Sequence, residues 1–386
     1  MTNSNQQLPV YKRLLFLAIT LVMSLTLVVA LSETMVRFIS PQDLSGTWRT
    51  VGERGLWINR ANWNARHQLG NRVVEYRFNS LHLRGPEIQP GVPKVLVLGD
   101  SYTFGWLLEE HDTYISRIQE LANKTFGPNE VQFINAAAGG WGTADQLAFL
   151  EAYGATIDPD IVLVFLNTDD IGRSLKSPLY ACKDRESLEL EAYQAPPSSR
   201  LSLANMPAYP WLMEHSHLLQ FARRIRKVQL HRRKMEAYPV KSAIAESHGV
   251  IVPDSKELRV DPAISQALGQ ALFRQINHWC RTNESQLLVT TTGFHFGQED
   301  DLHEPTRAFM KIAAATFDAE GIPYKDISPH VYTDMNGNPQ AFIIPDDGHP
   351  NEAANRIIAI HAWDWLRGKV QATLELNETK NLTVSR

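Results

Sequence analysis

The sequence predicts an α/β domain in which a parallel sheet carries helices on both faces, preceded by an N-terminal transmembrane helix. Three observations predict this architecture. Short apolar runs alternate with segments of helical period from about residue 95 onward, and turn residues separate them. Residues 14–31 form a run of 18 residues without a charge. The chain has 386 residues and is 44% apolar and 21% charged, which is typical of a globular protein with one large or two smaller domains.

The N-terminal apolar run is interpreted as an uncleaved membrane anchor. It reads LLFLAITLVMSLTLVVAL, and a helix of this length nearly spans the bilayer core at about 1.5 Å per residue. Lys12 and Arg13 precede it, so the positive-inside rule leaves residues 1–13 in the cytoplasm. A cleaved signal peptide is the alternative, because Val28 and Ala30 form a tolerable cleavage site. The prediction is a single-pass cell-membrane protein whose domain is extracytoplasmic, that is, periplasmic or extracellular.

Charge and cysteine content argue against several function classes. A net charge of −4 lacks the basic excess of a nucleic-acid-binding protein, so no nucleic-acid partner is expected. Cys182 and Cys280 are far apart and form no CxxC motif, which argues against a zinc finger or a thioredoxin-like redox site. An oxidising compartment would permit their pairing, and two unrelated buried thiols are the alternative.

Five apolar segments are interpreted as buried parallel strands, because each is short, continuous and bounded by turn residues. They are KVLVLGD (94–100), VQFINAA (131–137), DIVLVFLNT (160–168), QLLVTTTG (286–293) and the weaker IPYKDIS (322–328). Segments of helical period separate them at about 113–125, 143–155, 263–282 and 304–320. A last amphipathic helix, HPNEAANRIIAIHAWDWL, closes the domain with Ile358, Ala362 and Trp365 on one stripe. Before it, the Asn-Gly pair in TDMNGNPQAF predicts a β-hairpin.

The predicted organisation has five parts and one insertion. They are a cytoplasmic tail (1–13), an anchor (14–31), a juxtamembrane segment packing on the domain (38–90), the domain itself (91–371) with an insertion at 172–260, and a C-terminal tail (372–386). The insertion breaks the strand–helix alternation and holds the basic run ARRIRKVQLHRRK (222–234). That run is either a solvated helix face or a contact for anionic lipid heads or an anionic polymer.

Ser101 is the candidate nucleophile. It follows the first strand in VLVLGDSYTFG and stands near the start of a helix, at the sheet edge where open α/β folds build their sites. Backbone N–H groups and the helix dipole can there stabilise developing negative charge. A serine in such a turn is also a common helix cap, so the motif alone does not establish catalysis.

The segment IPDDGHPNEAANRIIA supplies the partners that a serine nucleophile requires. A serine hydroxyl needs a base to accept its proton, and that base needs an acid to hold its tautomer. Asp346 and His349 stand three residues apart just before a helix, so one turn can present carboxylate and imidazole together. Asp347 is the rival acid, and an exposed turn without catalytic function is the alternative reading.

Two further segments end strands at the same edge. NAAAGGWGTADQ follows the second strand, and Gly140 can offer an unobstructed backbone N–H to an oxyanion, although a glycine loop needing positive φ is the alternative. FLNTDDIG ends the third strand and places Asn167, Asp169 and Asp170 where a further side-chain donor would stand.

Taken together, these segments resemble the SGNH (GDSL-type) hydrolase superfamily. The Gly99–Ser101 block, the Gly140 block, the NTDDI block and the Asp346/His349 block occur in family order. The anchor and the motif YRFNSLHLRGPE before the first strand resemble the membrane-anchored bacterial members. The resemblance implies a flavodoxin-like three-layer α/β/α sandwich and cleavage or transfer of acyl esters, with no cofactor and no metal.

By motif match, the resemblance implies Ser101 as nucleophile, His349 as base and Asp346 as the acid that orients it. Ser101 and Gly140 would provide backbone oxyanion donors. The family has Asn-Asp where this chain has Asp169-Asp170, and the family's Asn amide is the third donor. Asp169 fills that role only as the neutral acid, because a carboxylate accepts hydrogen bonds and cannot donate them.

The expected function is that of a serine esterase acting on acyl groups, with O-acetyl esters of an envelope or exported polysaccharide as the expected substrate. The polysaccharide follows from compartment and family rather than from any residue. An O-acetyltransferase with the same triad is the first alternative, because only the acceptor differs. A catalytically weak polysaccharide-binding protein is the second, and Asp169 is the feature that favours it.

Overall fold

The computed structural model describes residues 9–42, 44, 48–69, 71–167, 170–177, 179–182, 190–192, 206, 208–226, 229, 262–291, 313–345 and 347–384. The chain divides into two compact units. The first comprises residues 1–46 and 207–256, and the second residues 47–206 and 257–386.

The first unit is helical. It contains α1 (Val10–Ile39) and α6 (Ala208–His215), and residues 217–226 are also helical. The predicted apolar run lies within α1, which extends beyond it at both ends. Within the described part of the chain, α1 is the single helix long and apolar enough to cross a membrane, and none of its residues is buried. By length and composition, a membrane anchor and a signal sequence both have this form.

The second unit is built on a five-stranded parallel sheet, as predicted. Its strands are β5 (Lys94–Leu98), β6 (Gln132–Asn135), β7 (Ile161–Leu166), β10 (Gln286–Thr291) and β11 (Tyr324–Lys325). They are ordered β11-β10-β7-β5-β6, with every neighbouring pair parallel. If these five strands are numbered 1 to 5 in chain order and read from the β6 edge, their order is 2-1-3-4-5. This is the order of flavodoxin-like folds, whose sites lie at the carboxyl ends of the strands.

Helices cover both faces of the sheet. The helices of this unit are α2 (Ser101–Phe104), α3 (Tyr114–Phe126), α4 (Thr143–Ile157), α5 (Asp170–Lys176), α7 (Pro262–Thr282), α8 (Ser328–Asp334) and α9 (Glu352–Val384), and residues 313–320 are helical. Successive residues of the buried strands point to opposite faces of the sheet and so belong to two separate apolar cores. Leu96 and Val162 pack with α4 and α7, whereas Val97 and Leu163 pack with α3, α8 and α9. The three-layer α/β/α sandwich is therefore confirmed.

Two β-hairpins lie in the segment predicted to be juxtamembrane. They are formed by β1 (Arg49–Val51) with β2 (Trp57–Asn59), and by β3 (Trp63–Leu69) with β4 (Arg72–Phe78). The inner face of the second hairpin forms a third apolar cluster with the end of α2 and the loop that follows it, through Tyr76 and Phe78 against Phe104 and Leu107. This hairpin therefore packs against the segment that follows Ser101.

Two expectations differ from the structure. The predicted hairpin at TDMNGNPQAF is wrong, because α8 ends there and a 3-10 helix follows over Pro339–Phe342. Asn336 and Gly337 do adopt positive φ, but the Gly337 N–H donates to the Tyr332 carbonyl, so the pair terminates a helix instead of joining two strands. Most of the predicted C-terminal tail continues α9 as far as Val384.

The predicted insertion contains α6, helical residues 217–226 and a short antiparallel pair formed by β8 (Tyr180–Cys182) and β9 (Leu190–Ala192). Cys280 on α7 is a free, buried thiol, and burial raises the pKa of this thiol to about 12. The Cys182–Cys280 disulfide considered from the sequence is therefore not formed.

Candidate active site

Ser101 is the first residue of α2, and only Gly99 and Asp100 separate it from strand β5. Asp100 caps this helix, with its Oδ1 accepting the Tyr102 N–H at 2.8 Å. Gly99 is required here, because a Cβ at this position would overlap the side chain of Thr103. The Gly-Asp-Ser sequence therefore forms a tight strand-to-helix turn that holds the serine at a helix N-terminus.

His349 lies against Ser101 although 248 positions separate them in the sequence. Its Nε2 is 2.8 Å from Ser101 Oγ, and its Nδ1 contacts Asp347 Oδ2. A carboxylate at Nδ1 favours the tautomer with a proton on that nitrogen, which leaves Nε2 free to accept the serine proton. The imidazole thus joins a hydroxyl and a carboxylate in the arrangement that activates a serine.

The carboxylate on His349 belongs to Asp347, the residue that sequence reasoning ranked second. Asp346, which it ranked first, lies outside the described residues. Gly348 between Asp347 and His349 has φ of +93°, and the Asp347 and Gly348 N–H groups both donate to the Ile344 carbonyl. This tight turn brings the side chains of Asp347 and His349, two positions apart, into contact. The sequence prediction had assumed a spacing of three residues, from Asp346 to His349.

The Gly140 loop lies next to Ser101. Gly140 is exposed and has φ of +79°, and a Cβ built on Gly139 would lie 3.9 Å from Ser101 Cβ. The Gly140 N–H is therefore in the neighbourhood where an oxyanion donor is expected. Asp169, the predicted third donor, lies outside the described residues.

Aromatic side chains surround the imidazole. The ring of Trp106 is stacked on His349 at 5.8 Å between centroids, and Tyr102 meets the same imidazole edge-on at 5.1 Å. Trp106 also meets the ring of His67 on β3 edge-on, at 4.7 Å between centroids, and Trp48 contacts both of them. Sequence reasoning missed this aromatic wall, since most of its members come from outside the recognised motifs.

A family model for GDSL-like lipases and acylhydrolases matches residues 97–357, more than half of the chain. The chain belongs to the GDSL-like lipase/acylhydrolase family. It is therefore a hydrolase that acts on ester bonds.

Solved structures with this fold are similar at low identity. TesA is 15% identical with a TM-score of 0.41, over 71% of this chain and 98% of TesA. The acetyl xylan esterase AlAXEase is 14% identical with a TM-score of 0.39, over 71% of this chain and 99% of that one. Axe2, an acetylxylan esterase from Geobacillus stearothermophilus, is 14% identical with a TM-score of 0.39, over 72% of this chain and 95% of Axe2. No curated protein matches the sequence.

In this GDSL-type hydrolase, a buried charge network lies behind the nucleophile turn. Asp100 is fully buried, and its Oδ2 accepts hydrogen bonds from Arg173 Nη1 at 2.6 Å and from Asn167 Nδ2 at 3.1 Å. Arg173 also donates to the Trp141 carbonyl at 3.2 Å, so it ties the Gly140 loop to the turn that carries Ser101. The amide of Asn167, considered from the sequence as an oxyanion donor, is thus engaged with Asp100.

Asp170 belongs to the same network. It accepts the Asn167 N–H at 3.0 Å and Gln146 Nε2 at 3.3 Å. Burial, followed by the negative charge of Asp100, holds the pKa of Asp170 well above its usual range. This residue therefore fixes the end of strand β7 rather than facing the nucleophile.

Arg84 binds the backbone of residues 104–108, the segment that follows Ser101. Its guanidinium is buried and donates to three backbone carbonyls, those of Phe104, Gly105 at 2.7 Å and Leu108 at 2.6 Å. It also lies over the Tyr76 ring at 4.5 Å. Burial lowers the pKa of Arg84 to about 10, so the side chain stays charged at neutral pH. The RGPE motif noted in the sequence thus contributes the residue that shapes the nucleophile turn.

Among the residues that the structure describes, no group of three or more His, Cys, Asp or Glu side chains is arranged to hold a metal ion. The side chains that the structure brings together at this edge of the sheet are a hydroxyl, an imidazole and a carboxylate.

Proposed function

We propose that this hydrolase cleaves acyl esters through a Ser101–His349–Asp347 triad. The observation that carries the proposal is the position of His349, whose Nε2 is 2.8 Å from Ser101 Oγ while its Nδ1 contacts Asp347. These are the separations at which a base accepts a nucleophile's proton and an acid orients the base.

The proposed reaction has two halves. Ser101 Oγ attacks the ester carbonyl carbon as its proton moves to His349 Nε2, and the resulting tetrahedral intermediate expels the alcohol, which takes that proton. Water then attacks the acyl-serine, with His349 again accepting a proton and returning it to Ser101. Asp347 stabilises the imidazolium that forms in each half.

The oxyanion of each intermediate is assigned to backbone N–H groups of Ser101 and Gly140. Two features support this assignment: Ser101 opens a helix, and Gly140 lies on the loop beside it with no side chain in the way. In serine hydrolases, loss of one preorganised oxyanion donor costs about 3 to 4 kcal/mol of transition-state stabilisation. The third donor, proposed from the sequence, is Asp169 in its neutral form.

The acyl group is proposed to be short, with acetyl the best fit. A Cβ on Gly139 would lie 2.9 Å from the Trp106 ring and 3.9 Å from Ser101 Cβ, so this ring borders the space around the nucleophile. The His349 imidazole is stacked on the same ring. A long acyl chain on that side would have to displace Trp106, which an acetyl group avoids.

The proposed substrate is an O-acetylated polysaccharide of the cell envelope or one exported from the cell. This extension depends on the proposed extracytoplasmic placement, for which α1 as an anchor and the flanking Lys12 and Arg13 provide the support. The acceptor in this proposal is water.

Hydrolysis of p-nitrophenyl acetate by the full-length protein tests the activity. Ser101→Ala is expected to lose essentially all turnover, and His349→Ala to be about as severe, because the residues act as a unit. Ser80→Ala is the matched control, since Ser80 is an exposed serine bonded only to Glu87 among the contacts that the structure gives for its hydroxyl. Full activity in Ser101→Ala would overturn the assignment.

A further inference from the structure

A carboxylate in the C-terminal part of the apolar helix α1 caps a second helix of the first unit. Glu33 Oε1 accepts the His217 N–H at 2.8 Å, and Oε2 accepts the Leu218 N–H at 2.9 Å and the Ser216 hydroxyl at 2.8 Å. The first N–H groups of a helix lack partners within it, and a carboxylate there satisfies them and complements the helix dipole. Glu33 therefore fixes the start of helix 217–226 beside α1.

Two further contacts hold the same junction. Arg37 Nη2 donates to the His215 carbonyl at 3.1 Å, and the Gln42 N–H donates to His217 Nδ1 at 2.8 Å. Glu33 follows the last residue of the charge-free run by two positions, which is a rise of about 3 Å along a helix. Helix 217–226 thus begins close to the level where the charge-free run of α1 ends, which places it near the headgroups of a bilayer that this run spans.

Helix 217–226 separates apolar from basic residues. Leu218, Phe221 and Ile225 recur at helical spacing on one side, Arg223 lies opposite them, and Arg224 and Arg226 lie on its two flanks. Leu219 is the one leucine on the basic side. All three arginines are exposed, and Ile225 is 41% exposed. A helix with an apolar stripe and a basic stripe is the form that lies in a membrane interface.

The preceding helix adds exposed apolar surface. Trp211 is 58% exposed and Leu212 40% exposed on α6. Trp211 stacks on His215, the residue whose carbonyl Arg37 binds. Tryptophan is enriched at membrane–water interfaces, where its ring lies at headgroup level.

We propose that helix 217–226 lies on the outer surface of the membrane that α1 anchors, with Arg223, Arg224 and Arg226 bound to the phosphates of anionic lipids. A guanidinium binds phosphate through two parallel hydrogen bonds, which suits it to this role. The proposal depends on the membrane placement of α1 and not on the chemistry of Ser101.

Lipid fits this surface better than an anionic polysaccharide. A soluble polyanion would engage the arginines but leaves Ile225, Trp211 and Leu212 in water. A bilayer takes up both the apolar and the basic residues, and the cap at Glu33 sets the helix at the depth where both are present.

Hydrogen exchange of the full-length protein in lipid vesicles tests the proposal. Vesicles of phosphatidylcholine alone are compared with vesicles containing 30% phosphatidylglycerol, and flotation with the vesicles verifies anchoring separately. Peptides covering 208–226 are expected to exchange at least about tenfold more slowly in the anionic vesicles, since each arginine near an anionic surface contributes about fivefold in binding. High salt is expected to remove the difference.

Variants identify the residues responsible. Arg223→Gln/Arg224→Gln/Arg226→Gln should abolish the protection by phosphatidylglycerol, whereas the control Arg77→Gln/Arg367→Gln, which changes exposed arginines of the second unit, should retain it. Glu33→Gln should reduce the protection although all three arginines remain. Equal exchange in both vesicle types for a protein that floats with them would overturn the proposal. Protection by polygalacturonate but not by anionic vesicles would overturn it in favour of a polysaccharide partner.

Discussion

His349 depends on the turn that precedes it. The positive φ of Gly348 and the two N–H groups donated to the Ile344 carbonyl bring Asp347 back onto the imidazole. A carboxylate in this position holds the imidazole tautomer, and its amide analogue holds the wrong one. The geometry of this turn thus decides which carboxylate meets the imidazole.

The first prediction follows from that turn. Asp347→Asn is expected to lower kcat on p-nitrophenyl acetate by about three to four orders of magnitude, because the amide favours the tautomer in which Nε2 carries the proton. Asp346→Asn is the matched control and should reduce kcat by less than about tenfold. The reverse ranking of the two variants would transfer the acid role to Asp346.

The second prediction concerns Asp169 and its place in the oxyanion hole. If it donates as the neutral acid, activity falls as the pH rises and this carboxyl ionises, whereas His349 must be deprotonated to act as base, so the pH–rate profile is a narrow bell. Asp169→Asn provides a permanent donor. It should remove the alkaline limb and raise kcat at alkaline pH by about one to two orders of magnitude.

The outcome for Asp169→Asn also separates the functions considered from the sequence. Lower activity at every pH would show that Asp169 is not a donor. A role in positioning an acceptor sugar would then favour acetyl transfer over hydrolysis.

The third prediction uses Trp106 as the limit on acyl length. Trp106→Ala should raise the ratio of kcat/KM for p-nitrophenyl butyrate to that for the acetate by at least about tenfold, because each accommodated methylene is worth about 1 kcal/mol or more in a fitted pocket. The absolute acetate rate should fall, since the imidazole loses the ring stacked on it. Trp106→Phe keeps an aromatic ring and should shift the ratio less. An unchanged ratio in Trp106→Ala would remove this residue from the acyl pocket.

At the scale of elements, the β3–β4 hairpin stabilises the nucleophile turn through residues that lie outside the family match. Tyr76 accepts the Leu107 N–H at 2.8 Å and contacts His67 Nδ1 at 2.9 Å, while the Arg84 guanidinium covers its ring. The hairpin and Arg84 therefore bind the backbone of the loop that carries Trp106.

The fourth prediction is that Arg84→Met destabilises the protein by at least about 3 kcal/mol. The substitution keeps much of the apolar stem but removes the guanidinium from three buried carbonyls. The Gly105 carbonyl still accepts the Leu108 N–H, whereas those of Phe104 and Leu108 lose the donor that the structure gives them, at about 1 to 3 kcal/mol each. Arg77→Met is the control. Arg77 is exposed, and its ion pair with Glu110 is long, at 3.5 Å, so the substitution should change stability by less than about 0.5 kcal/mol. Denaturant midpoints measure both, and equal midpoints for the two variants would contradict this role of Arg84.

The hydrophobic periodicity of the sequence is sufficient to predict the sheet strands and their helices, but not the conformation of the loops. Strands such as Ile161–Leu166 are apolar throughout, which is the pattern of a strand buried on both faces. The Asn-Gly pair at 336–337 was misassigned, because the same positive φ serves a hairpin turn and a helix end. The choice between them depends on the helix formed by residues 328–334 and not on the pair itself.

The site was predictable where its residues lie in short motifs. Ser101 and His349 stand in recognisable blocks at the ends of elements. Arg173, Arg84 and Trp106 could not be assigned from the sequence, because their partners become neighbours only when the chain folds. Arg173, for example, joins Asp100 to the Trp141 carbonyl from a helix that follows the third sheet strand.

At the scale of the whole molecule, the two compact units carry different features. The first carries the apolar helix and the basic helix capped on it, and the second carries the sheet and the candidate active site. If the first unit attaches the protein to a membrane, the second meets substrates on the outer side.

The fifth prediction tests this topology. A phosphatase fused after Arg386 should be active outside the cytoplasm, because Lys12 and Arg13 retain the N-terminus inside. The mature protein should keep its N-terminus and stay with the membrane fraction at high salt. A soluble form that begins near Leu31 would show instead that the apolar helix is a cleaved signal.

The central claim is that Ser101 becomes acylated, with His349 and Asp347 activating it. The most direct measurement is acid quenching of the enzyme during turnover of p-nitrophenyl acetate, followed by peptide mass spectrometry. We expect an acetyl group on Ser101 in the wild-type protein and none in Ser101→Ala. An acetyl group that accumulates on another residue, or turnover that persists in Ser101→Ala, would contradict it.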